Sequence, residues 1–262
     1  MIALRTGWSR PPASLEIGPD DVHVWAAPLR ELRLDSTQSL ALSRDERERA
    51  ARVRSLERRH EFVSGRALLR MLLAAYTGTP AASVRIAYGP FGKPALPECD
   101  VVPRLTFNAT RSHGLALYAF ARGREVGVDV ERLQPELPCD EIVKQYFCPT
   151  ERTRLAMLVG SRRTRMFFDY WSAKEALLKA RGDGLPGGLD DIDVHRLDET
   201  DEAVIAQRMS HVWTVRRLEP SPQYAAAVAV EGTDANIRCW DLTLGGLLSS
   251  TWGARGVAAV LR

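Results

Sequence analysis

Glu125-Val126-Gly127-Val128-Asp129-Val130-Glu131 follows the turn Arg122-Gly123-Arg124 and alternates apolar with acidic residues. A period of two predicts a β-strand over 125–131, with Val128 and Val130 entering a core. Asp129 and Glu131 then project their carboxylates side by side from the other face. Two readings are open for that pair. It is an exposed strand face, or it is a pair of hard oxygen ligands for a cation such as Mg²⁺, which favours carboxylates together with substrate phosphates.

Working outward, residues 22–29 read as a strand. Ser43, with Glu46 three residues on, predicts a capping box opening a charged helix over 44–59. The apolar stripe over 62–76 predicts a core helix ended by Gly78 and Pro80. Residues 84–88 read as a strand leading into the turn Gly89-Pro90-Phe91-Gly92-Lys93-Pro94. Strands are expected at 105–107 and 115–121, joined by a polar connection over 108–114. Beyond the opening stretch, helices are expected at 140–147, 151–159 and 164–181, and strands at 192–197, 212–218 and 225–230. Strand, helices, strands therefore occurs twice, which predicts an α+β fold with a seam near 122–124. Residues 1–122 form one half and residues 123–262 the other, which carries the acids. The tail after Trp240 has no assigned element.

The chain has 262 residues, 45 % hydrophobic and 26 % charged, with a formal net charge of +3. That is globular composition, long enough for a substantial core. No apolar run approaches the roughly 18 residues of a membrane span, and the N-terminus lacks a signal-peptide core, so a cytoplasmic protein is expected. Cys99, Cys139, Cys148 and Cys239 show no short Cys/His spacing and read as reduced thiols rather than a disulfide frame or a zinc site. Of 36 basic residues only Lys93, Lys144, Lys174 and Lys179 are Lys. A Lys ammonium is a compact charge that can lose its proton, whereas Arg cannot, so lysines kept against an Arg background are worth tracing. Lys144 reads as a solvated helix face.

Further constellations carry candidate chemistry. In Trp171-Ser172-Ala173-Lys174-Glu175-Ala176-Leu177-Leu178-Lys179, positions 171, 175 and 179 share one helix face. A Glu175–Lys179 surface pair would stabilise the helix by only about 0.3–0.5 kcal/mol. With Trp171 expected to be buried, however, Glu175 one turn away reads as a third metal ligand or a base. Gly92-Lys93-Pro94 fixes Lys93 in a turn whose amides suit anions. Phe107-Asn108-Ala109-Thr110-Arg111-Ser112-His113-Gly114 offers hydroxyl and guanidinium donors for phosphate. The Arg-rich stretch 44–70 contains a single aromatic, Phe62, and no nucleic-acid-binding signature, so it reads as a solvated helix face.

Taken in order, Gly92-Lys93-Pro94, Phe107-Asn108-x-Thr110-Arg111-Ser112, Gly127-Val128-Asp129-Val130-Glu131 and Trp171-Ser172-Ala173-Lys174-Glu175-x-x-x-Lys179 resemble the Sfp-type 4′-phosphopantetheinyl transferases. The resemblance runs from about residue 44 to about residue 230. It implies two similar α/β halves related by a pseudo-two-fold axis, with coenzyme A in the cleft between them. It implies Mg²⁺-dependent transfer of 4′-phosphopantetheine to a serine of an apo acyl or peptidyl carrier protein, releasing adenosine 3′,5′-bisphosphate. Two fused halves already create the cleft, so a monomer suffices, and no nucleic-acid or membrane partner is expected. Asp129, Glu131 and Glu175 match the family's metal-binding acids. Glu175, or a water on the metal, takes the serine proton, and Lys179 neutralises the leaving phosphate. Lys93, Lys174, Lys179, Thr110, Arg111 and Ser112 match coenzyme A contacts, with Arg59 and Arg66 near its 3′-phosphate. One departure stands out: the family reads Ser-His-Ser or Ser-His-Thr where this chain has Thr110-Arg111-Ser112. Arg111 keeps a donor and makes the charge permanent; His113, two residues on, is the alternative imidazole. A coenzyme A-binding homologue without turnover and a basic nucleic-acid-binding protein are the competing readings.

Overall fold

The computed structural model describes residues 2, 4, 7–12, 14–32, 40–97, 103–182, 188–198, 202–206 and 212–243. Strand β1 (Asp21–Pro28) is followed by helices α1 (Arg44–Arg52) and α2 (Leu56–Thr77) and a two-strand hairpin, β2 (Ala87–Tyr88) with β3 (Pro94–Ala95). Strands β4 (Leu105–Ser112), β5 (Leu115–Arg122) and β6 (Val126–Arg132) come next. Helices α3 (Asp140–Tyr146), α4 (Pro149–Ala156) and α5 (Gly160–Arg181) precede β7 (Glu202–Ala206), β8 (Val212–Leu218), β9 (Tyr224–Glu231) and β10 (Asn236–Asp241).

Two four-stranded sheets result, in the orders β10-β1-β5-β4 and β6-β9-β8-β7. They lie face to face between two 22-residue helices, α2 and α5. One face of the first sheet, with Trp25, Leu29, Tyr118 and Phe120, packs on Leu68, Leu72 and Tyr76 of α2. Its other face, with Val22, Val24, Leu117 and Ala119, packs on Val126, Val128, Val130 and Val228 of the second sheet. The far face of the second sheet, with Val215, Ala225 and Ala227, covers Phe167, Tyr170 and Leu177 of α5. Strands buried on both faces need continuous apolar sequence, and Leu115-Ala116-Leu117-Tyr118-Ala119-Phe120-Ala121 supplies it.

Local signals explain most boundaries. Ser43 and Glu46 form the capping box at α1, and Gly78, at φ 70°, ends α2. Within the expected helix over 44–59 the chain breaks at 53–55, because Ser55 caps a new helix by accepting from the Arg58 amide. The expected strand over 84–88 shrinks to Ala87–Tyr88. Residues 108–112, expected as a polar connection, are the second half of β4, and only His113 and Gly114 turn, both at positive φ. The expected strand over 192–197 is instead a turn leading into a 3₁₀ helix, His195–Asp198. Its backbone groups bond to buried side chains rather than to a neighbouring strand. No sequence signal marks β10, which returns from the second half to lie parallel to β1 in the first sheet. Cys139, Cys148 and Cys239 are free thiols, and Cys99 lies outside the described residues. No helix among the described residues is long and apolar enough to cross a membrane.

Candidate active site

The site lies on the seam where β4 of the first sheet runs beside β6 of the second. Even-numbered residues of β4 share one face, and all reach across. The Thr106 hydroxyl donates to the Arg124 carbonyl. Asn108 Oδ1 accepts from the Val128 amide at 3.1 Å. Thr110 Oγ1 donates to Asp129 Oδ1 at 3.1 Å, and Ser112 Oγ to Glu131 Oε2 at 3.0 Å. A polar strand can be buried here because the other half supplies its partners.

Gly127 brings the third element in. A Cβ at this position would lie 2.1 Å from the Ala176 carbonyl oxygen and 2.3 Å from the Ala180 nitrogen, so the backbone of α5 rests directly on β6. That close approach sets Lys179 Nζ 2.5 Å from Asp129 Oδ1 and 3.3 Å from Thr110 Oγ1. Glu175, one turn earlier, shares the cluster's field. Burial raises its pKa and Asp129 adds to the effect, while Lys179 opposes it. Burial, with repulsion from Asp129 and Glu175, pushes Glu131 up to about 7 against the pull of Ser112 and Lys179. Trp171, expected buried, is partly exposed with Glu175 and Lys179 on the same helix face, stacking on Phe167 and edge-on to Tyr146.

Two clefts flank β4. The first, of about 300 Å³, is lined by Phe91, Gly92, Lys93, Asn108, Glu175 and Lys179. The second, of about 280 Å³, holds Arg49, Phe62, Arg66, Tyr88, Thr110 and Arg111. In the second, the guanidinium carbons of Arg49 and Arg111 lie 5.5 and 5.9 Å from the Phe62 ring centre. Arg66 is shared with Glu46 and the Tyr88 hydroxyl. Burial works against ionisation of Glu46, but the Ser43 amide, Arg66 and Arg70 together hold its pKa below the usual carboxylate range. No motif flags Arg49, Glu46 or Phe62. The only signals for them are the capping box, which fixes Glu46, and helical spacing, which turns Arg49 toward the same side.

Other residues expected at the site stand elsewhere. Lys93 lines the first cleft, but its ammonium is 2.5 Å from Glu125 Oε2 and also donates to the Ala180 carbonyl. Arg59 turns back to the Val53 carbonyl, at 2.8 and 3.0 Å, and lines neither cleft. Lys174 is not brought to the cluster. It is fully buried on another side of α5, 2.8 Å from Glu151, and donates to the carbonyls of Leu189 and Ile192 at 2.8 and 2.6 Å. Lys144 pairs with Glu141 on the surface.

The residues fit a hard divalent cation in their chemistry. Asp129, Glu131 and Glu175 act on one another electrostatically, with the Lys179 ammonium among them, and buried Asp129 Oδ2 finds no hydrogen-bond partner among the described residues. An orphaned carboxylate oxygen beside two acids of raised pKa is a donor set lacking positive charge. The three do not close to within 4.8 Å of one another. Among the described residues the group that does is Cys148, Glu151 and Asp193. There the Lys174 ammonium already supplies the cation, and the Cys148 and Val194 amides fill the Glu151 oxygens.

A family model described as the 4′-phosphopantetheinyl transferase superfamily matches residues 125–229, the span that begins at β6 and ends in β9. Over 239 residues, 90 % of this chain and 99 % of the relative, the sequence is 35 % identical to the 4′-phosphopantetheinyl transferase HetI of Nostoc sp.. It is 28 % identical to the 4′-phosphopantetheinyl transferase Sfp of Bacillus subtilis over 74 % of this chain and 84 % of that one. A crystal structure of a holo-(acyl-carrier-protein) synthase from Bacillus anthracis in complex with CoA aligns at 24 % identity and a TM-score of 0.32, covering 42 % of this chain and 96 % of that one.

Proposed function

Because the chain belongs to the 4′-phosphopantetheinyl transferase superfamily, we propose that it moves 4′-phosphopantetheine from coenzyme A to a serine of an apo acyl or peptidyl carrier protein, with Mg²⁺ held by Asp129, Glu131 and Glu175. The serine oxygen forms a bond to the phosphorus that carries pantetheine. The bond from that phosphorus to the bridging oxygen breaks, and adenosine 3′,5′-bisphosphate leaves with the electron pair. The observation that carries this reading is the acid cluster at the seam, of which Glu175 lines a cleft beside Lys93 and Lys179 while Lys179 also reaches Asp129 Oδ1.

Each residue has a task that its surroundings favour. A serine hydroxyl is a poor nucleophile at neutral pH and needs a base within hydrogen-bond reach. Glu175 faces the cleft, and burial, by raising its pKa, makes its carboxylate a stronger proton acceptor than an ordinary one. Lys179 and Lys93 bring positive charge to the pyrophosphate as charge builds on the leaving side. Arg49, Arg66 and Arg111 line the second cleft, where guanidinium forks suit the remaining phosphate of coenzyme A. Arg111 adds a further guanidinium fork to that cleft. When bound, Mg²⁺ would supply further neutralisation of pyrophosphate charge.

The test is to incubate the protein with coenzyme A, Mg²⁺ and several apo carrier proteins and to weigh the carriers intact. A mass gain of one phosphopantetheine is expected on at least one carrier, and none on any would overturn the reading. Glu175→Gln should lower the transfer rate by about 100-fold or more, the scale of a lost general base, with an unchanged circular-dichroism spectrum. Transfer at the wild-type rate would remove Glu175 from the mechanism.

A further inference from the structure

Ser112 and His113 form a hydrogen-bonded pair beside Glu131. Ser112 is buried at the end of β4, at 9 % exposure, while His113 stands exposed at the tip of the β4–β5 turn. Three groups surround the Ser112 oxygen. The Arg132 amide lies at 3.2 Å, His113 Nδ1 at 3.1 Å and Glu131 Oε2 at 3.0 Å. A hydroxyl has one hydrogen and two lone pairs. The amide can only donate. If His113 donates from Nδ1, both lone pairs are filled and the single Ser112 hydrogen is committed to Glu131. That tautomer follows from the bonding network and satisfies every member of it.

The backbone holds His113 in place to do this. His113 sits at φ 45°, in the left-handed region that non-glycine residues seldom occupy, and its carbonyl accepts from the Tyr224 hydroxyl at 2.9 Å. Strain of this kind persists only where surrounding contacts over-determine it, and it concentrates at functional sites. Tyr224 belongs to β9 of the second sheet, so the turn of the first half is tied to the second on both sides of the acid.

We propose that Ser112 is a positioning residue for Glu131, its hydroxyl direction fixed by His113, so that one carboxylate oxygen is held at the seam and the other left for the metal. This rests on the metal reading above. It takes Ser112 away from a direct coenzyme A contact and gives His113 a place beside the acid, although Arg111 stands in the family's histidine position. Carboxylates that bind metal are oriented by hydrogen bonds of this sort, and losing one such bond typically weakens metal affinity about 10-fold or more.

The experiment measures Mn²⁺ binding to the full chain directly, by electron paramagnetic resonance of the free ion, alongside the KM for coenzyme A and the melting temperature. Ser112→Ala should weaken Mn²⁺ by about 10-fold, with the coenzyme A KM within about two-fold. Ser112→Thr keeps the hydroxyl and should restore most of the affinity. His113→Ala should cost about 3-fold, a fraction of the whole bond. His113→Asn, which tolerates positive φ and still offers an N–H, should recover it. Equal Mn²⁺ affinity in wild type and Ser112→Ala would overturn the proposal and leave the metal reading standing. A wild-type chain that binds no Mn²⁺ would overturn both. A raised coenzyme A KM with unchanged Mn²⁺ affinity would return Ser112 to the substrate and likewise overturn it.

Discussion

Glu131, the metal ligand proposed above, sets activity against stability at a single residue. A carboxyl whose folded pKa is raised binds protons more readily folded than unfolded, so its contribution to stability falls as pH rises from about 4.5 through about 7. In the metal-free protein at pH 8, Glu131→Gln should therefore raise stability by about 1–2 kcal/mol after allowance for solvent screening, while transfer is lost. A urea titration of both proteins reads the difference, and a destabilised variant would show that the charge is already compensated. His23 titrates in the opposite sense. It is buried beneath Trp240 with Nδ1 2.7 Å from the Tyr76 hydroxyl, and burial lowers its pKa to about 4. Between pH 6.5 and 4 the unfolded chain takes up a proton that the folded chain refuses, so stability rises with pH across that window and about 3 kcal/mol is lost on descending it. His23→Gln should flatten that part of the pH–stability curve; an unchanged slope would assign the acid sensitivity to other groups.

Among the elements, β4 and α5 show what was readable and what was not. The acids and Lys179 were legible because a period of two and a spacing of four put chemistry-bearing residues on one face before any partner is known. β4 was half-legible. Thr106, Asn108, Thr110 and Ser112 alternate with Leu105, Phe107 and Ala109 in strand fashion, yet Asn, Thr and Ser are also turn residues, and only the partners supplied by β6 decide between the two. Lys174 follows the same logic in reverse. It sits in the motif beside Glu175, but one residue along a helix is about 100° around the axis, which turns it into the core toward Glu151. No spacing rule revealed that Glu151, on another helix, would meet it there. The contact at Gly127 is the element-scale prediction. Gly127→Ala puts a methyl into the backbone of α5, which no side-chain rotation relieves. It should cost about 3 kcal/mol and lower transfer further than the residual folded fraction explains, because Glu175 and Lys179 move with the helix. A melting curve and initial rates on the same preparation check it, and wild-type stability would mean that the helix approach is slack.

Across the whole molecule, the α+β reading and the repetition of strand, helices and strands lead to two sheets backed by two long helices, with the acids where the sheets meet. What the repetition hid is the exchange between halves. The motif-bearing second half gives β10 to the first sheet, setting Trp240 against Trp25 and His23. Nothing in Asn236-Ile237-Arg238-Cys239-Trp240-Asp241 marks a parallel partner more than 200 residues away. Ending the chain after Ala235 should strip the β1 edge of its neighbour and take Trp240 out of the core. A loss of several kcal/mol is expected for removing one large core aromatic alone, read as a lowered urea midpoint or recovery only in the insoluble fraction. A soluble truncated chain with wild-type stability would contradict it.

That same strand sets an order of assembly. β10 is made more than 200 residues after β1, its parallel neighbour, so the first sheet cannot close until the strands of the second sheet have been made. Contacts of such long sequence separation slow folding. They also leave the open edge of β1 available to foreign strands during translation. The second sheet, whose strands all lie between residues 126 and 231, carries no such debt and is expected to gain protection from proteolysis first, with the first sheet completed when β10 docks beside β1.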